Sequence, residues 1–146
     1  MRKVYVAGPW VFRPDAKEHA EYLRNVLLDA GYEALIPIDN ECDQALQIKV
    51  SNLTMIEDCD YVIADITPFR GPSADVGTVF EMGYARALNK TIFPWSSDQS
   101  EYKTRVEPDG MHIEDFGCRD NLMVAAGEYI DDSFEESVRL IVQWDR

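Results

Sequence analysis

Tyr61-Val62-Ile63-Ala64 is a run of four residues without one polar side chain, closed by Asp65. A strand facing water on one side alternates apolar with polar residues; a strand apolar on both sides must be covered on both faces. Lys3 to Ala7, Glu33 to Ile38 and Thr91 to Trp95 are three more short β-rich runs. Helical spacing fills the gaps between them. Ala16, Ala20, Leu23, Leu27 and Ala30 recur on one face before Gly31, a natural stop. Leu46, Val50, Leu53 and Ile56 mark a second helix, and a third runs from near Asp75 to near Asn89. Strand and helix therefore alternate, the pattern of a parallel sheet sandwiched between helical layers. Further on, Ser97 to Met111 reads as polar loop and Asp120 to Ala126 as a short helix. Glu128 to Asp131 reads as a very short fifth strand, and Phe134, Val138, Ile141 and Val142 as a closing helix. The expectation is one α/β domain over residues 1–146, a doubly wound parallel sheet of about five strands.

The 146 residues suit one such domain, and 46% hydrophobic residues suit a globule with its own core. The formal net charge of −13 argues against a nucleic-acid polymer or an anionic membrane as partner, because both need clustered Lys and Arg. Apolar runs fall far below the roughly 20 residues of a membrane span. Pro9, Arg13 and Asp15 cut the first one too short for a signal peptide. Cys42, Cys59 and Cys118 are odd in number and widely spaced, which points to a reducing, cytoplasmic setting. With only His19 and His112 available, a histidine-based metal site is not expected.

Sheets of this kind hold ligands beyond the carboxyl ends of their strands. Acids gather there: Asp39 and Glu41 after the second strand, Asp65 and Asp75 after the third. Asp75 has an ordinary role open to it as a helix N-cap. Glu81 lies inside the following helix between Phe80 and Met82, with Gly77 one turn before it and Gly83 two residues after. Glycine costs a helix interior roughly 1 kcal/mol against alanine, so two of them around one carboxylate suggest a close approach to the backbone. Either Glu81 is partly desolvated and poised for chemistry, or it faces solvent or pairs with a base such as Arg86. Carboxylates converging on one cleft suit displacement at an anomeric carbon, one attacking while another group handles the leaving group's proton. No G-x-G-x-x-G follows the first strand, so a dinucleotide site is set aside.

Five segments in order carry a resemblance over almost the whole chain. They are Val4-Tyr5-Val6-Ala7-Gly8-Pro9; Pro37-Ile38-Asp39-Asn40-Glu41; Ala64-Asp65-Ile66-Thr67-Pro68-Phe69-Arg70-Gly71; Asp75-Val76-Gly77-Thr78 leading to Glu81-Met82-Gly83-Tyr84-Ala85; and Asp120-Asn121-Leu122-Met123. The chain resembles the nucleoside 2-deoxyribosyltransferases. That resemblance implies a flavodoxin-like fold and exchange of 2-deoxyribose between nucleobases, with 2′-deoxynucleosides and free bases as partners and no cofactor. It implies Glu81 as nucleophile, Tyr5 orienting it, and Asp75 and Asp65 holding the base and mediating its protonation. Glu41, Gly8, Gly77, Trp10 and Phe12 would border the substrate. Asn121, with Asp120 and Met123 beside it, would reach a neighbouring subunit's sugar, which implies a homo-oligomer with shared sites. A related family of deoxynucleoside 5′-monophosphate N-glycosidases tends to carry a phosphate-binding serine six residues before the nucleophile. Asp75 stands at that point here and would repel a phosphate, although Arg70 would soften the effect. A non-catalytic nucleoside-binding protein on the same fold is the third reading.

Overall fold

The computed structural model describes residues 1–37 and 43–146. β1 (Arg2–Ala7) is followed by a short 3-10 turn at Pro9–Phe12, α1 (Ala16–Asp29) and β2 (Tyr32–Leu35). α2 (Ala45–Asp58), β3 (Tyr61–Asp65), α3 (Val76–Ala87) and β4 (Thr91–Trp95) come next. α4 (Leu122–Ala125) and α5 (Phe134–Trp144) close the chain. The strands form one sheet in the order β2-β1-β3-β4, with all pairs parallel. Val4 pairs with Ala34 on one side and Tyr61 on the other, and Ile63 pairs with Phe93.

Alternation along the strands builds two cores. Val4, Val6, Tyr61, Ile63 and Phe93 face α1 and α5, where they meet Leu23, Leu27, Val138 and Ile141. Tyr5, Ala7, Val62 and Ala64 face α2 and α3, where they meet Ile56, Met82 and Ala85. Both faces of the central strands are thus sealed, as their apolar composition requires. The chain leaves β1 toward β2 and leaves β3 toward β4, in opposite directions. The connections that follow β1 and β3 therefore diverge, and a crevice opens beyond the carboxyl ends of these two strands.

The expected fifth strand is reduced to a single parallel bridge between Trp95 and Asp131. Asp131 N donates to Pro94 O, and Ser96 N donates to Asp131 O. Two residues later Ser133 already caps α5, its side chain accepting from Glu136 N, so no length remains for a ladder. The sheet among the described residues has four strands, and the Trp95–Asp131 bridge stands where the short fifth was expected.

The polar stretch after β4 is ordered by two arginines rather than by secondary structure. Arg105 donates to the carbonyls of Pro72, Ser100 and Arg119. Arg119 donates to those of Ile130, Ser96 and Asp98. Guanidinium forks satisfy carbonyls that a strand or helix would otherwise pair. No described helix is long and apolar enough to cross a membrane.

Candidate active site

Glu81 is placed by the second turn of α3 and by the β1 strand beneath it. Tyr5 is fully buried, and its hydroxyl donates a hydrogen bond to Glu81 Oε2. Burial pushes the Glu81 carboxyl up to about 7; the Tyr5 hydroxyl opposes the rise and the nearby Asp75 charge adds to it. Burial, then the Glu81 charge, drives the Tyr5 phenol in the same upward direction, so it stays a neutral donor. Arg86 pairs with Glu128 at 2.5 Å instead of with Glu81. Oε2 of Glu81 is thus held, and no hydrogen bond engages Oε1 among the described residues.

That carboxylate faces a cavity of about 530 Å3, of the size that takes a small ligand. Gly8, Gly77, Asp75 and Glu81 line it together, with Phe12, Ile48 and Phe80 among its apolar walls. Phe12 stacks on Phe69 with ring centres 5.6 Å apart, and the Arg70 guanidinium lies over both rings. The mouth of the cavity therefore has a braced aromatic edge.

Asp75 performs the ordinary and the site role at once. Its Oδ2 accepts from Thr78 N and Thr78 Oγ1, both at 3.0 Å, which starts α3. Its side chain still borders the Glu81 cavity. The two glycines differ. A Cβ at Gly77 would lie 3.3 Å from Asp75 Oδ2, on the helix face that exposes Glu81 to the cavity. A Cβ at Gly83 would meet nothing within 4 Å. Gly83→Ala is expected to raise stability by roughly 0.5–1 kcal/mol, read as a higher melting temperature. Gly77→Ala is expected to lower turnover by crowding Asp75.

Three expectations need correction. Trp10 does not line this cavity: the 3-10 turn sends its ring to the α1 face of the sheet, where it is 6% exposed in the core with Val4 and Leu23. Asp65 ends β3 on that same far face, in phase with Tyr61 and Ile63, and borders a different cavity with Trp10. Asp120 is fully buried, and its two oxygens accept from Ala74 N at 2.8 Å and Asn121 N at 2.7 Å. It touches no open space at Glu81; it pins the backbone just before Asp75. Asp120→Ala would orphan one buried and one part-buried amide, so a loss of roughly 2–4 kcal/mol is expected in a denaturant titration. Asn121 caps α4, accepting from Met123 N, and donates weakly to Glu114 at 3.4 Å. Met123 is 86% exposed, and neither residue borders the cavity within one chain. Glu41 lies outside the described residues.

One polar residue went unread in the sequence. Asn52, on α2, lines the cavity, and its buried Oδ1 has no hydrogen-bond partner among the described residues. A buried amide oxygen is an acceptor that calls for a hydroxyl or N–H. Its position inside an otherwise ordinary amphipathic helix gave no signal.

The family model described as Nucleoside 2-deoxyribosyltransferase matches residues 4–123. The chain belongs to the nucleoside 2-deoxyribosyltransferase family. Its structure is similar to that of a 2-desoxiribosyltransferase from Leishmania mexicana, with a TM-score of 0.90 and 37% identity over 98% of both chains. It is also 32% identical over 113 residues to an uncharacterized protein from Schizosaccharomyces pombe. That match takes in 70% of this chain but only 54% of the yeast protein, so the chain spans about half the length of that curated relative. A CMP N-glycosidase from Clostridium botulinum shares the fold, with a TM-score of 0.60 at 19% identity. The nucleoside 2-deoxyribosyltransferase fold thus accounts for the α/β architecture and for the crevice that holds Glu81.

Proposed function

We propose that the protein exchanges nucleobases on 2-deoxyribose by a retaining double displacement in which Glu81 is the nucleophile. The observation that carries this reading is the pairing of Glu81 with the buried Tyr5 hydroxyl at the floor of a ligand-sized cavity. One carboxylate oxygen is fixed and the other is open, which is the arrangement an attacking group needs.

A 2′-deoxynucleoside enters with its base toward Asp75 and the Phe12 edge. Glu81 attacks the anomeric carbon as the bond to the base nitrogen breaks, through an oxocarbenium-like transition state. The electron pair of that bond leaves with the base, which takes up a proton that Asp75 relays from solvent water. The product is a deoxyribosyl ester of Glu81. A second base then displaces Glu81 by the reverse steps, and two inversions give retention. Water can take the place of the second base, giving slow hydrolysis. The 2-deoxy preference has an electronic cause: a 2-hydroxyl withdraws electrons from the cationic centre. Asn52, whose side chain lines the cavity, accepts a hydrogen bond from the sugar or base in this reading.

Supporting the expectation of an oligomer, Val76 and Phe80 on α3 and Leu46 and Val50 on α2 are exposed beside the cavity mouth, and Met123 is exposed further along. A second copy covering this face would bring its Asn121 to the sugar. Sedimentation equilibrium showing a monomer at micromolar concentration would remove that part of the reading.

The test is incubation with a 2′-deoxynucleoside and a different free base, followed by chromatography. Expected are a new β-deoxynucleoside and parallel-line, ping-pong initial-rate plots. Release of free base without exchange, faster on deoxynucleoside 5′-monophosphates, would replace the transferase reading with the hydrolase one.

A further inference from the structure

Two polar side chains on one wall of the Glu81 cavity take no part in making or breaking bonds. α2 forms that wall through Ile48, Lys49, Asn52 and Leu53. Among the described residues, Lys49 is the only cation that lines the cavity. It makes no ion pair there, although the chain carries 27 acidic residues. Its ammonium rests instead over the Phe80 ring, 5.3 Å from the ring centre. A cation–π contact at an exposed site is weak, and a lysine stem is flexible, so Nζ can swing to a ligand. Asn52 stands three residues on, one turn along the same side of the helix. Its side chain is half-buried, and the buried Oδ1 has no partner among the described residues. A half-turn about the last torsion exchanges Oδ1 with Nδ2, which offers the oxygen to an N–H in the cavity.

These two groups dictate what suits them. An ammonium donates three times and accepts nothing, and an amide oxygen only accepts. The α2 wall therefore calls for an acceptor next to an N–H. A 6-oxopurine carries that order along one edge: N7 and O6 accept, and N1–H donates. Lysine on O6 and N7 is a favoured base-specific contact. Adenine opposes it twice. Its amino group would meet the ammonium donor to donor, and its N1 would meet Oδ1 acceptor to acceptor. Sliding the ring to reverse the order is barred, because the glycosidic nitrogen must stay at the anomeric carbon above Glu81. Uracil and thymine offer an oxygen beside an N–H but no N7, so they gain one contact fewer.

We propose that Lys49 and Asn52 make the enzyme select 6-oxopurines, with Lys49 Nζ donating to O6 and N7 and Asn52 Oδ1 accepting from N1–H. This rests on the transferase reading and adds which bases it exchanges. The sugar is the other claimant of these two groups. Its hydroxyls are common to every donor, so a lysine bound there would serve all bases alike.

The test gives wild-type protein 2′-deoxyguanosine as donor, with equal hypoxanthine and adenine as competing acceptors. The initial ratio of 2′-deoxyinosine to 2′-deoxyadenosine formed is the ratio of the two kcat/KM values, expected at about 10 or more. Lys49→Met and Asn52→Leu should each lower that ratio about tenfold, and Lys49→Arg, which keeps the donor, should hold it. Lys49 is exposed, so its variants fold, and thermal melting checks Asn52→Leu. A wild-type ratio that favours adenine, or a ratio unmoved by Lys49→Met, overturns the proposal and leaves base exchange standing. A second arm needs no turnover. Calorimetry on Glu81→Gln should show 2′-deoxyinosine bound about tenfold more tightly than 2′-deoxyadenosine, a gap that Lys49→Met closes. Absence of exchange with every base removes the transferase reading alone; the calorimetric gap then decides whether Lys49 and Asn52 read the base, and equal affinities overturn it.

Discussion

Glu81→Gln is expected to lower base exchange by roughly 1000-fold or more, with donor binding retained. Glutamine keeps the shape of the side chain and still accepts from the Tyr5 hydroxyl, but its amide is not a nucleophile toward an anomeric carbon. Only the ionised carboxylate attacks, and burial holds its pKa at about 7. The wild-type rate should therefore climb through pH 6 to 8 as Glu81 ionises, and mass spectrometry should find a deoxyribosyl adduct on wild type that Glu81→Gln lacks. Stability should move the other way. The folded pKa of Glu81 lies above its ordinary value of 4.5, so the folded state holds the proton more tightly between those two values. The contribution of this group to stability is then fully present below pH about 4.5 and is lost as pH rises through about 7. Glu81→Gln removes that loss, so its melting-temperature gain over wild type should be larger at pH 8 than at pH 5. A variant with near-normal exchange, or a rate flat across this pH range, would remove Glu81 from the mechanism.

How far the sequence foretold this site follows from the kind of signal each residue leaves. The strand cores were legible because Val4 to Ala7 and Tyr61 to Ala64 are apolar on both faces, and only a covered parallel sheet satisfies them. Pattern alone left Glu81 open between a poised carboxylate and one that faces solvent or pairs with Arg86; the family resemblance singled it out, and the structure bonds it to Tyr5. Asp65 and Trp10 were misplaced for a common reason. Position at a strand's carboxyl end is visible in a sequence, but the face of the sheet is set by the strand's phase and by the turn after it. Asp65 keeps the phase of Tyr61 and Ile63, which carries it away from Tyr5. Asp120 misled because a motif shows which residue is present and not what occupies its oxygens; here two backbone amides do. The segment after β4 resisted reading because Arg105 and Arg119 hold it through single side chains bonded to scattered carbonyls, an arrangement without periodicity.

Tyr5→Phe should leave a folded enzyme whose defect depends on pH. The ring is fully buried in the core with Val62 and Ile56, and phenylalanine preserves that packing. The loss is one hydroxyl, the donor to Glu81 Oε2. That bond favours the charged form of Glu81 and opposes the upward pull of burial. A hydrogen bond to a charged group is worth about 1.5–3 kcal/mol, so the rate midpoint should move up by about 1–2 pH units. At pH 7 the ionised fraction then falls from about one half, and turnover with it by roughly 5–50-fold. Part of the deficit should persist at high pH, because a carboxylate freed at Oε2 no longer presents Oε1 at a fixed angle. The two contributions separate in a full pH profile. A deficit that shrinks as pH rises reports the lost charge stabilisation, and the plateau that remains reports the lost orientation. A deficit equal at every pH would mean that Tyr5 only aims the nucleophile, and that burial alone sets its acidity. An unchanged profile would mean that Glu81 is held by α3 without help from β1, and the strand under the site would then be a floor and nothing more.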